Sequence, residues 1–352
     1  MENLRLAFEK ASKNKAHKKY VIDFELNLEE ELIKLKRELE TFTHKPRQLR
    51  KFNIRDPKSR TIHIANFRDR VVHHALINII GPIFENIFIY DSFASRIDKG
   101  TLNAVKRFEK FFKEISRNGK LIYNAFNNTL VVGYALKADI RHYFDTVSND
   151  VLIKIIKRKI KDENVIWLIK QILDNFYSEV PNTGMPLGNY TSQFFANVYL
   201  NELDYFVKHK LKAKYYIRYV DDFIILHANK KVLEDYKDKI GKYLTNLKLE
   251  LHPDKSKIIP LRDGISFLGY RIFYYHKLLR KRNERKFMKK FNNYLDYYKD
   301  EIVEESEFVN LLRGWFGYSM WANTFKFRKD LINKVNKIRP LEKYKDKLRR
   351  YL

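Results

Sequence analysis

The sequence has no cysteine among its 352 residues, which excludes disulfide bonds and any zinc site built from thiolates. It also lacks an apolar run near the roughly 20 residues that a membrane-spanning helix requires. The first ten residues carry Glu2 and Glu9 and no apolar signal core, so they do not predict a secretory signal. These absences predict a cytoplasmic protein without a membrane partner.

Common catalytic motifs are absent as well. The sequence has no Gly-x-x-x-x-Gly-Lys phosphate loop, no Gly-x-Ser-x-Gly elbow and no His-Glu-x-x-His pair. Its 10 histidines form no metal-ligand pattern. These absences argue against the enzyme classes that those motifs define.

What the sequence has in excess is positive charge. Lys and Arg number 70 against 43 Asp and Glu, which gives a formal net charge of +27. A chain so charged repels itself unless a polyanion neutralises it, and phosphate backbones are the usual partner. The 23 Tyr and 26 Phe suit stacking on bases, although any single ring is more simply a core residue. Composition therefore predicts a nucleic-acid partner.

The pattern of apolar residues predicts an α+β fold in which helices back an antiparallel sheet. Helices are predicted over 1–45, 67–80, 101–115 with Thr101 as the N-cap, 150–161, 164–176, 191–210, 232–247 and the basic tail from Lys277. Strands are predicted over 50–64 around a turn at Asp56-Pro57, over 131–140 with one buried face, and near 256–260, with hairpins over 215–226 and 265–275.

Three aspartates lie where the predicted strands end. Asp139 closes the strand over 131–140, and Asp221 and Asp222 form the tip of an apolar hairpin. A lone Asp-Asp turn is most often a solvated hairpin tip, but the apolar flanks here predict a packed sheet. Carboxylates at neighbouring strand ends bind two Mg²⁺ ions about 4 Å apart, with Mn²⁺ as a substitute. The arrangement predicts a site for phosphoryl transfer.

At this point the sequence resembles a known family. The segment LKADIRHYFD, Leu136 to Asp145, resembles motif A of reverse transcriptases, and YVDD, Tyr219 to Asp222, resembles their motif C. The tetrapeptide alone is weak evidence, whereas the ordered motifs from about Arg50 to Tyr270 are specific. The resemblance implies a right-hand polymerase with fingers, palm and helical thumb, which adds dNTPs to a primer on an RNA template.

The resemblance also implies a division of the chain. Residues 1–130 would hold the N-terminal helices and fingers with part of the palm. Residues 131–270 would form the palm, with a fingers insertion at about 150–185. Residues 271–352 would form a basic helical thumb that follows the RNA/cDNA duplex.

Residues around motif A acquire roles from the same resemblance. Phe144, five residues after Asp139, would be the steric gate that selects deoxynucleotides, the alternative being a core phenylalanine. Ile140 would lie beside Asp139 in both the metal site and the nucleotide site.

Basic residues are implied to act on phosphate. Arg55, Lys58 and Arg60 would clamp the triphosphate, the alternative being a solvated basic turn. Lys255 would protonate the leaving pyrophosphate, although a lysine on a surface loop is usually only solvated. The hairpin residues Phe267, Leu268, Gly269 and Tyr270 would form the primer grip, or else a plain hairpin.

The segment Gly184 to Asp204 resembles motif B. Its glycines, Gly184 and Gly188, would let backbone approach a ligand closely, and Thr191 or Ser192 would cap the following helix. That helix is predicted to bury a set of apolar side chains: Phe194, Phe195, Val198 and Leu203.

Motif B also departs from most reverse transcriptases, which carry Gln-Gly and Ser-Pro there. This chain has Leu187-Gly188 and Ser192-Gln193 instead, a departure that resembles the enzymes of diversity-generating retroelements. The resemblance implies a low-fidelity enzyme that mutates chiefly at template adenines of a template-repeat RNA. It also implies a small basic accessory variability protein, usually a pentamer, as partner.

Two alternatives stay open at this stage. Retron, antiphage-defence and group II intron enzymes share the palm, although Leu187 and Gln193 argue against intron enzymes. A catalytically silent nucleic-acid-binding protein would have the same charge and aromatic content. The three aspartates argue against it, because clustered unpaired carboxylates hinder phosphate binding.

Overall fold

The structure is a computed structural model that describes residues 1–55, 59–120 and 131–351. The chain divides into two compact units. Unit 1 contains Met1–Ala104, Leu136–Ile225 and Lys231–Ile258. Unit 2 contains Val105–Ala135, Leu226–Lys230 and Ile259–Leu352. The three-part division at residues 130 and 270 stays a prediction.

Unit 1 begins with the predicted helices, which share one apolar core. They are α1 (Glu2–Ser12), α2 (Lys19–Glu25), α3 (Leu28–Glu40) and α4 (Phe67–Glu85). The buried side chains recur at helical spacing, and include Leu4, Phe8, Val21, Phe24, Leu32, Leu35, Phe67 and Val71. Helix α4 begins after Asn66, whose side chain accepts a hydrogen bond from the amide of Arg68.

A two-stranded ribbon precedes α4. Strand β1 (Arg50–Arg55) pairs antiparallel with β2 (Ser59–Ile64), with Arg50 opposite Ile64. The two predicted strands are confirmed, and the turn at Asp56-Pro57 lies outside the described residues.

The central sheet has four strands in the order β4-β5-β3-β6. The strands are β3 (Tyr134–Ala138), β4 (Tyr215–Tyr219), β5 (Asp222–His227) and β6 (Lys257–Pro260). The prediction of one buried face for β3 is wrong, because Ala135, Leu136 and Ala138 are all fully buried. Strand β3 lies between β5 and β6, so both of its edges are paired. The successive residues Ala135 and Leu136 point to opposite faces, and their burial shows that both faces are covered.

Six further α-helices lie between residues 100 and 246 in the described part of the chain. They are α5 (Gly100–Ile115), α6 (Tyr143–Thr146), α7 (Asn149–Lys157), α8 (Glu163–Asp174), α9 (Tyr190–Tyr205) and α10 (Lys230–Asn246). Helix α9 ends at Tyr205 and continues as a five-residue π-helix, Phe206–Lys210. Of the four side chains predicted to be buried by α9, Phe195, Val198 and Leu203 are buried and Phe194 is half-buried.

Two predicted caps are wrong. Helix α5 already includes Gly100, so Thr101 lies in its first turn, where its hydroxyl hydrogen-bonds that of Tyr219 at 3.0 Å. Helix α9 begins one residue before Thr191, which is buried inside the helix together with Ser192. The position before α9 is Asn189, and its side-chain oxygen accepts from the amide of Ala65 rather than from α9.

Unit 2 contains a small sheet and the basic helical tail. The sheet consists of β7 (Ile265–Phe267), β8 (Tyr270–Ile272) and β9 (Lys277–Leu279), paired antiparallel in that order. The helices are α11 (Lys281–Lys299), α12 (Glu305–Ser319), α13 (Phe325–Asn336) and α14 (Lys345–Arg349). Their core is aromatic: the Phe287 ring stacks on Trp315 at 4.2 Å, and Phe291 packs on Phe308. Among the described residues, no helix is both long and apolar enough to cross a bilayer.

Candidate active site

The structure brings two of the three predicted aspartates to one cavity. Strand β3 ends at Ala138, so Asp139 directly follows it, and Val220-Asp221 forms the turn between β4 and β5. Strand β5 lies beside β3 in the sheet. Asp139 and Asp221 line a cavity of about 690 Å³ that lies entirely within unit 1. Asp222 begins β5 and does not line it.

Burial and neighbouring charges disfavour the ionised form of Asp221. Burial, and after it the negative charge of Asp139, raises the pKa of Asp221 to about 6 from its ordinary 3.8. Asp222 contributes in the same direction, whereas Lys255 opposes it. The site therefore concentrates negative charge that a cation would relieve.

The segment after α10 holds Asp139 from the other side. The Lys255 ammonium donates to Asp139 Oδ2 at 2.9 Å, and the amide of His252 donates to the Asp139 carbonyl at 2.7 Å. Ile140 is buried and forms an isolated antiparallel bridge with Leu251. Lys255 is thus an ion-pair partner of Asp139, the predicted metal ligand. It is not the purely solvated surface lysine that the sequence left open as the alternative.

The donor chemistry suits Mg²⁺, because hard carboxylate oxygens are the ligands it prefers. Even so, no group of three or more His, Asp or Glu side chains is arranged to hold a metal ion in the part of the chain that the structure describes. One oxygen of Asp139 is taken by Lys255. The residues fit a metal site by their chemistry, and a cation at Asp139 would compete with Lys255 for that oxygen.

Most of the other predicted site residues line the same cavity. They are Arg60, Ile140, Phe144, Leu187, Gly188, Gln193 and Lys255. Arg55, on β1, is exposed and does not line it, and Lys58 lies outside the described residues. Five chain segments therefore converge on one space.

Phe144 is not a core residue. It is half-buried and lines the cavity, whereas its neighbour Tyr143 is fully buried and donates a hydrogen bond to the Ala196 carbonyl at 2.8 Å. The Phe144 carbonyl accepts from the amide of Met185 at 2.7 Å, which ties motif A to motif B. This position favours the gate over the core alternative.

The motif B loop approaches a strand rather than open space. Gly188 has φ +115°, and a Cβ there would lie 2.7 Å from Ile62 Cγ2 and 3.1 Å from the His63 carbonyl. The His63 amide donates to the Leu187 carbonyl at 2.8 Å, so β2 and the loop are joined by backbone contacts. Gly188 also lines the cavity, and its close approach to a ligand stays a prediction.

Several cavity residues were missed by sequence reasoning. Ser59, Thr61 and His63 line the cavity from one face of β2, and burial lowers the pKa of His63. The alternation of residues along a strand was the signal that could have identified this face. Asn197 of α9 and the 94–95 loop also line the cavity, and nothing in their local sequence indicates this.

The predicted primer-grip residues form a tight hairpin in unit 2. Phe267 pairs with Tyr270, and the turn residues Leu268 and Gly269 have φ +45° and +95°. The Tyr318 hydroxyl donates to the Gly269 carbonyl at 2.7 Å. A Cβ on Gly269 would lie 2.6 Å from the Tyr318 hydroxyl oxygen. The hairpin is confirmed as a structure, and its role stays a prediction.

Comparison with known proteins identifies relatives of this chain. Protein YkfC of Escherichia coli (strain K12) is 26% identical over 265 residues, which cover 64% of this chain and 65% of that protein. The group II intron-encoded protein LtrA of Lactococcus lactis subsp. cremoris is 25% identical over 315 residues, 69% of this chain and 50% of that protein. The chain thus spans between half and 65% of the length of these two relatives.

The fold is shared with a solved telomerase. The structure of telomerase from Candida albicans in complex with a TWJ fragment of telomeric RNA matches with a TM-score of 0.50 at 11% identity, over 87% of this chain and 64% of that one. The α+β right-hand polymerase fold is therefore confirmed. A family profile described as "Reverse transcriptase (RNA-dependent DNA polymerase)" matches residues 49–272, which is more than half of the sequence. The chain belongs to the reverse transcriptase family and is related to group II intron-encoded proteins.

Proposed function

We propose that the protein is an RNA-directed DNA polymerase that extends a primer on an RNA template with dNTPs. The observation that carries the proposal is that Asp139 and Asp221 line one cavity together with Phe144, Leu187 and Gln193. The cavity of about 690 Å³ thus combines acidic side chains with an aromatic ring and with the Leu187 and Gln193 side chains. Nucleotidyl transfer needs acids to hold metal ions and side chains to position the sugar and base of the nucleotide.

In this proposal Asp139, Asp221 and Asp222 hold two Mg²⁺ ions, beside Ile140. When bound, such ions would activate the primer hydroxyl and neutralise the leaving pyrophosphate. Lys255 gives up its contact with Asp139 and turns to the pyrophosphate, to which it donates a proton.

The chain's other cavity residues would orient the nucleotide. Arg60, the second residue of β2, would neutralise triphosphate charge. Arg55 and Lys58 are further candidates for this role. Phe144 packs under the sugar where a 2′-hydroxyl would project. Gly188 and Gln193 border the nascent base pair.

The proposal extends to the biological role. Leu187 places an alkyl side chain where motif B of most reverse transcriptases has glutamine, which removes a polar check beside the base pair. We infer an error-prone enzyme that copies the template-repeat RNA of a diversity-generating retroelement, chiefly misincorporating at adenines. Its partners would be the template RNA, the RNA/cDNA duplex along residues 271–352, and an accessory variability protein pentamer.

Primer extension tests the activity. Wild type should extend a DNA primer on an RNA template with Mg²⁺, or with Mn²⁺ in its place. The double variant Asp221→Asn, Asp222→Asn should not. The matched control is Asp235→Asn with Asp238→Asn, which removes the same charge from α10 at residues that do not line the cavity. Equal extension by wild type and the first variant would leave only a nucleic-acid-binding protein.

Fidelity tests the role. Sequencing of cDNA from a template with all four bases should show errors concentrated at adenines for wild type and fewer of them for Leu187→Gln. Identical error spectra would remove the low-fidelity assignment without affecting the polymerase assignment, and would favour a retron-like or antiphage-defence enzyme.

A further inference from the structure

We infer that Arg218 is a positioning residue that holds the Val220-Asp221 turn in register with Asn197 of α9, which lines the cavity. The inference rests on the proposed function, since it assigns a role within that site. Arg218 is on β4, is completely buried, and its guanidinium reaches three partners on two elements. Its side chain does not line the cavity, so it cannot touch substrate directly.

The charge of Arg218 is compensated inside the protein. Nε and Nη2 donate to the two oxygens of Asp204 on α9 at 2.7 and 2.6 Å, and both side chains are fully buried. The Tyr216 hydroxyl also donates to Asp204, at 2.6 Å. Burial lowers the pKa of Arg218, but the attraction of Asp204 outweighs it and raises that pKa above its ordinary value. The guanidinium therefore stays charged, and its Nη1 donors are not used by Asp204.

The remaining nitrogen bridges two parts of the site. Nη1 donates to the Val220 carbonyl at 3.0 Å and to Asn197 Oδ1 at 3.1 Å. An arginine can make both bonds together with its bidentate pair because its donors diverge in one plane, whereas a lysine ammonium cannot span all four acceptors.

Val220 needs such a restraint. It directly precedes Asp221 and has φ +56°, the left-handed region that a β-branched residue adopts only under strain. Strained residues persist where surrounding contacts over-determine them. The bond from Arg218 to the Val220 carbonyl is such a contact, one residue from the acid that lines the cavity.

Asn197 carries the restraint to the cavity wall. Its amide nitrogen donates to the Ala94 carbonyl at 2.8 Å, and the adjacent Ser95 hydroxyl donates to Gln193 Oε1 at 3.0 Å. All four of these residues line the cavity. Arg218 thus ties the turn that bears Asp221 to the wall that borders the nucleotide.

The competing explanation is that Arg218 merely completes a buried ion pair. Arg218→Lys distinguishes the positioning role from this explanation. Lysine keeps the positive charge opposite Asp204 but cannot also donate hydrogen bonds to Val220 and Asn197. Arg158→Lys is the matched control: Arg158 also pairs with α9, through Glu202 at 2.8 Å, and does not line the cavity.

The readouts are the melting temperature, kcat and KM of primer extension, and Mn²⁺ binding followed by electron paramagnetic resonance. We expect Arg218→Lys to melt near wild type, to lose about 10- to 100-fold in kcat because the turn is misplaced, and to bind Mn²⁺ more weakly. Arg158→Lys should match wild type in all four. Wild-type kcat and Mn²⁺ affinity in a folded Arg218→Lys would overturn the inference.

A second variant covers the case in which Arg218→Lys does not fold. Asp204→Leu with Arg218→Met replaces the ion pair by apolar side chains of similar volume, an exchange that proteins often tolerate. It should fold and show the same loss of kcat and Mn²⁺ affinity. Failure of both variants to fold would assign Arg218 a purely structural role. If wild type itself extends no primer, the proposed function fails, and Mn²⁺ binding alone then decides whether Arg218 positions Asp221.

Discussion

Replacing Asp221 with asparagine is expected to stabilise the protein in the presence of EDTA. Burial and then the charge of Asp139 raise the folded-state pKa of Asp221 from 3.8 to about 6. The folded chain therefore binds this proton more tightly than the unfolded chain, so stability falls as pH rises through the interval between those two values. At about 1.4 kcal/mol per pKa unit, ionised Asp221 costs about 3 kcal/mol near pH 8 and well under 1 kcal/mol near pH 4.

The assay is the melting temperature of wild type and Asp221→Asn at those two pH values. For a unit of 150–250 residues, 3 kcal/mol corresponds to roughly 6–12 °C. The variant should melt higher by about that amount near pH 8 and close to wild type near pH 4. Asp145→Asn is the control, because its side chain is 70% exposed in the same cavity and its removal should change the melting temperature little.

Equal melting of Asp221→Asn and wild type at both pH values would refute the reasoning, as would a gain near pH 4 as large as that near pH 8. Either result would mean that the fold does not hold Asp221 in an unfavourable charged form. Adding Mn²⁺ near pH 8 provides a second comparison. A cation between the carboxylates removes the repulsion, so wild type should gain more stability from Mn²⁺ than Asp221→Asn does.

Three further substitutions test the cavity, and a fourth, Gly241→Ala, is the control for Gly188→Ala. Phe144→Val should reduce the preference for dNTPs over ribonucleotides in kcat/KM by about tenfold or more, and unchanged discrimination would exclude the gate. Gly188→Ala, which puts a Cβ 2.7 Å from a side-chain carbon of β2 at φ +115°, should cost about 1–3 kcal/mol in urea unfolding. Gly241→Ala, with open space around it in α10, should not destabilise. Lys255→Ala should tighten Mn²⁺ binding by freeing Asp139, and an unchanged affinity would show that the ion pair does not compete with the metal.

The acidic centre was predictable because its signal is local. The apolar residues on both sides of Asp221-Asp222 permit only a buried hairpin, and strand β5 is indeed buried at Phe223, Ile224 and Ile225. A turn between two such strands must lie where the strands end. The pattern before Asp139 predicts a second strand end, which lies near that turn if the strands are neighbours. The adjacency of β3 and β5 is seen only in the structure, since no local pattern encodes strand order.

The helix starts were not predictable in the same way. Thr101 and Thr191 are good capping residues by local preference, yet each lies inside its helix. Tertiary hydrogen bonds compete for the side chains that could cap these helices. The Thr101 hydroxyl bonds to that of Tyr219, and the side-chain oxygen of Asn189, directly before α9, accepts from the Ala65 amide. Capping preference amounts to about 1 kcal/mol, which a single tertiary hydrogen bond can outweigh.

The buried network behind the acids shows what limits inference from sequence in this site. Arg218 lies three residues before Asp221 in an apolar strand, where a lone charge signals only that a partner must exist. The partner, Asp204, belongs to the end of α9, and its sequence neighbours resemble an ordinary helix terminus. Only the packing of α9 against the sheet pairs the two, and the same contact aligns Val220 and Asn197. A motif of four residues thus specifies Asp221 and Asp222, while the geometry of their turn depends on a helix whose residues lie outside that motif.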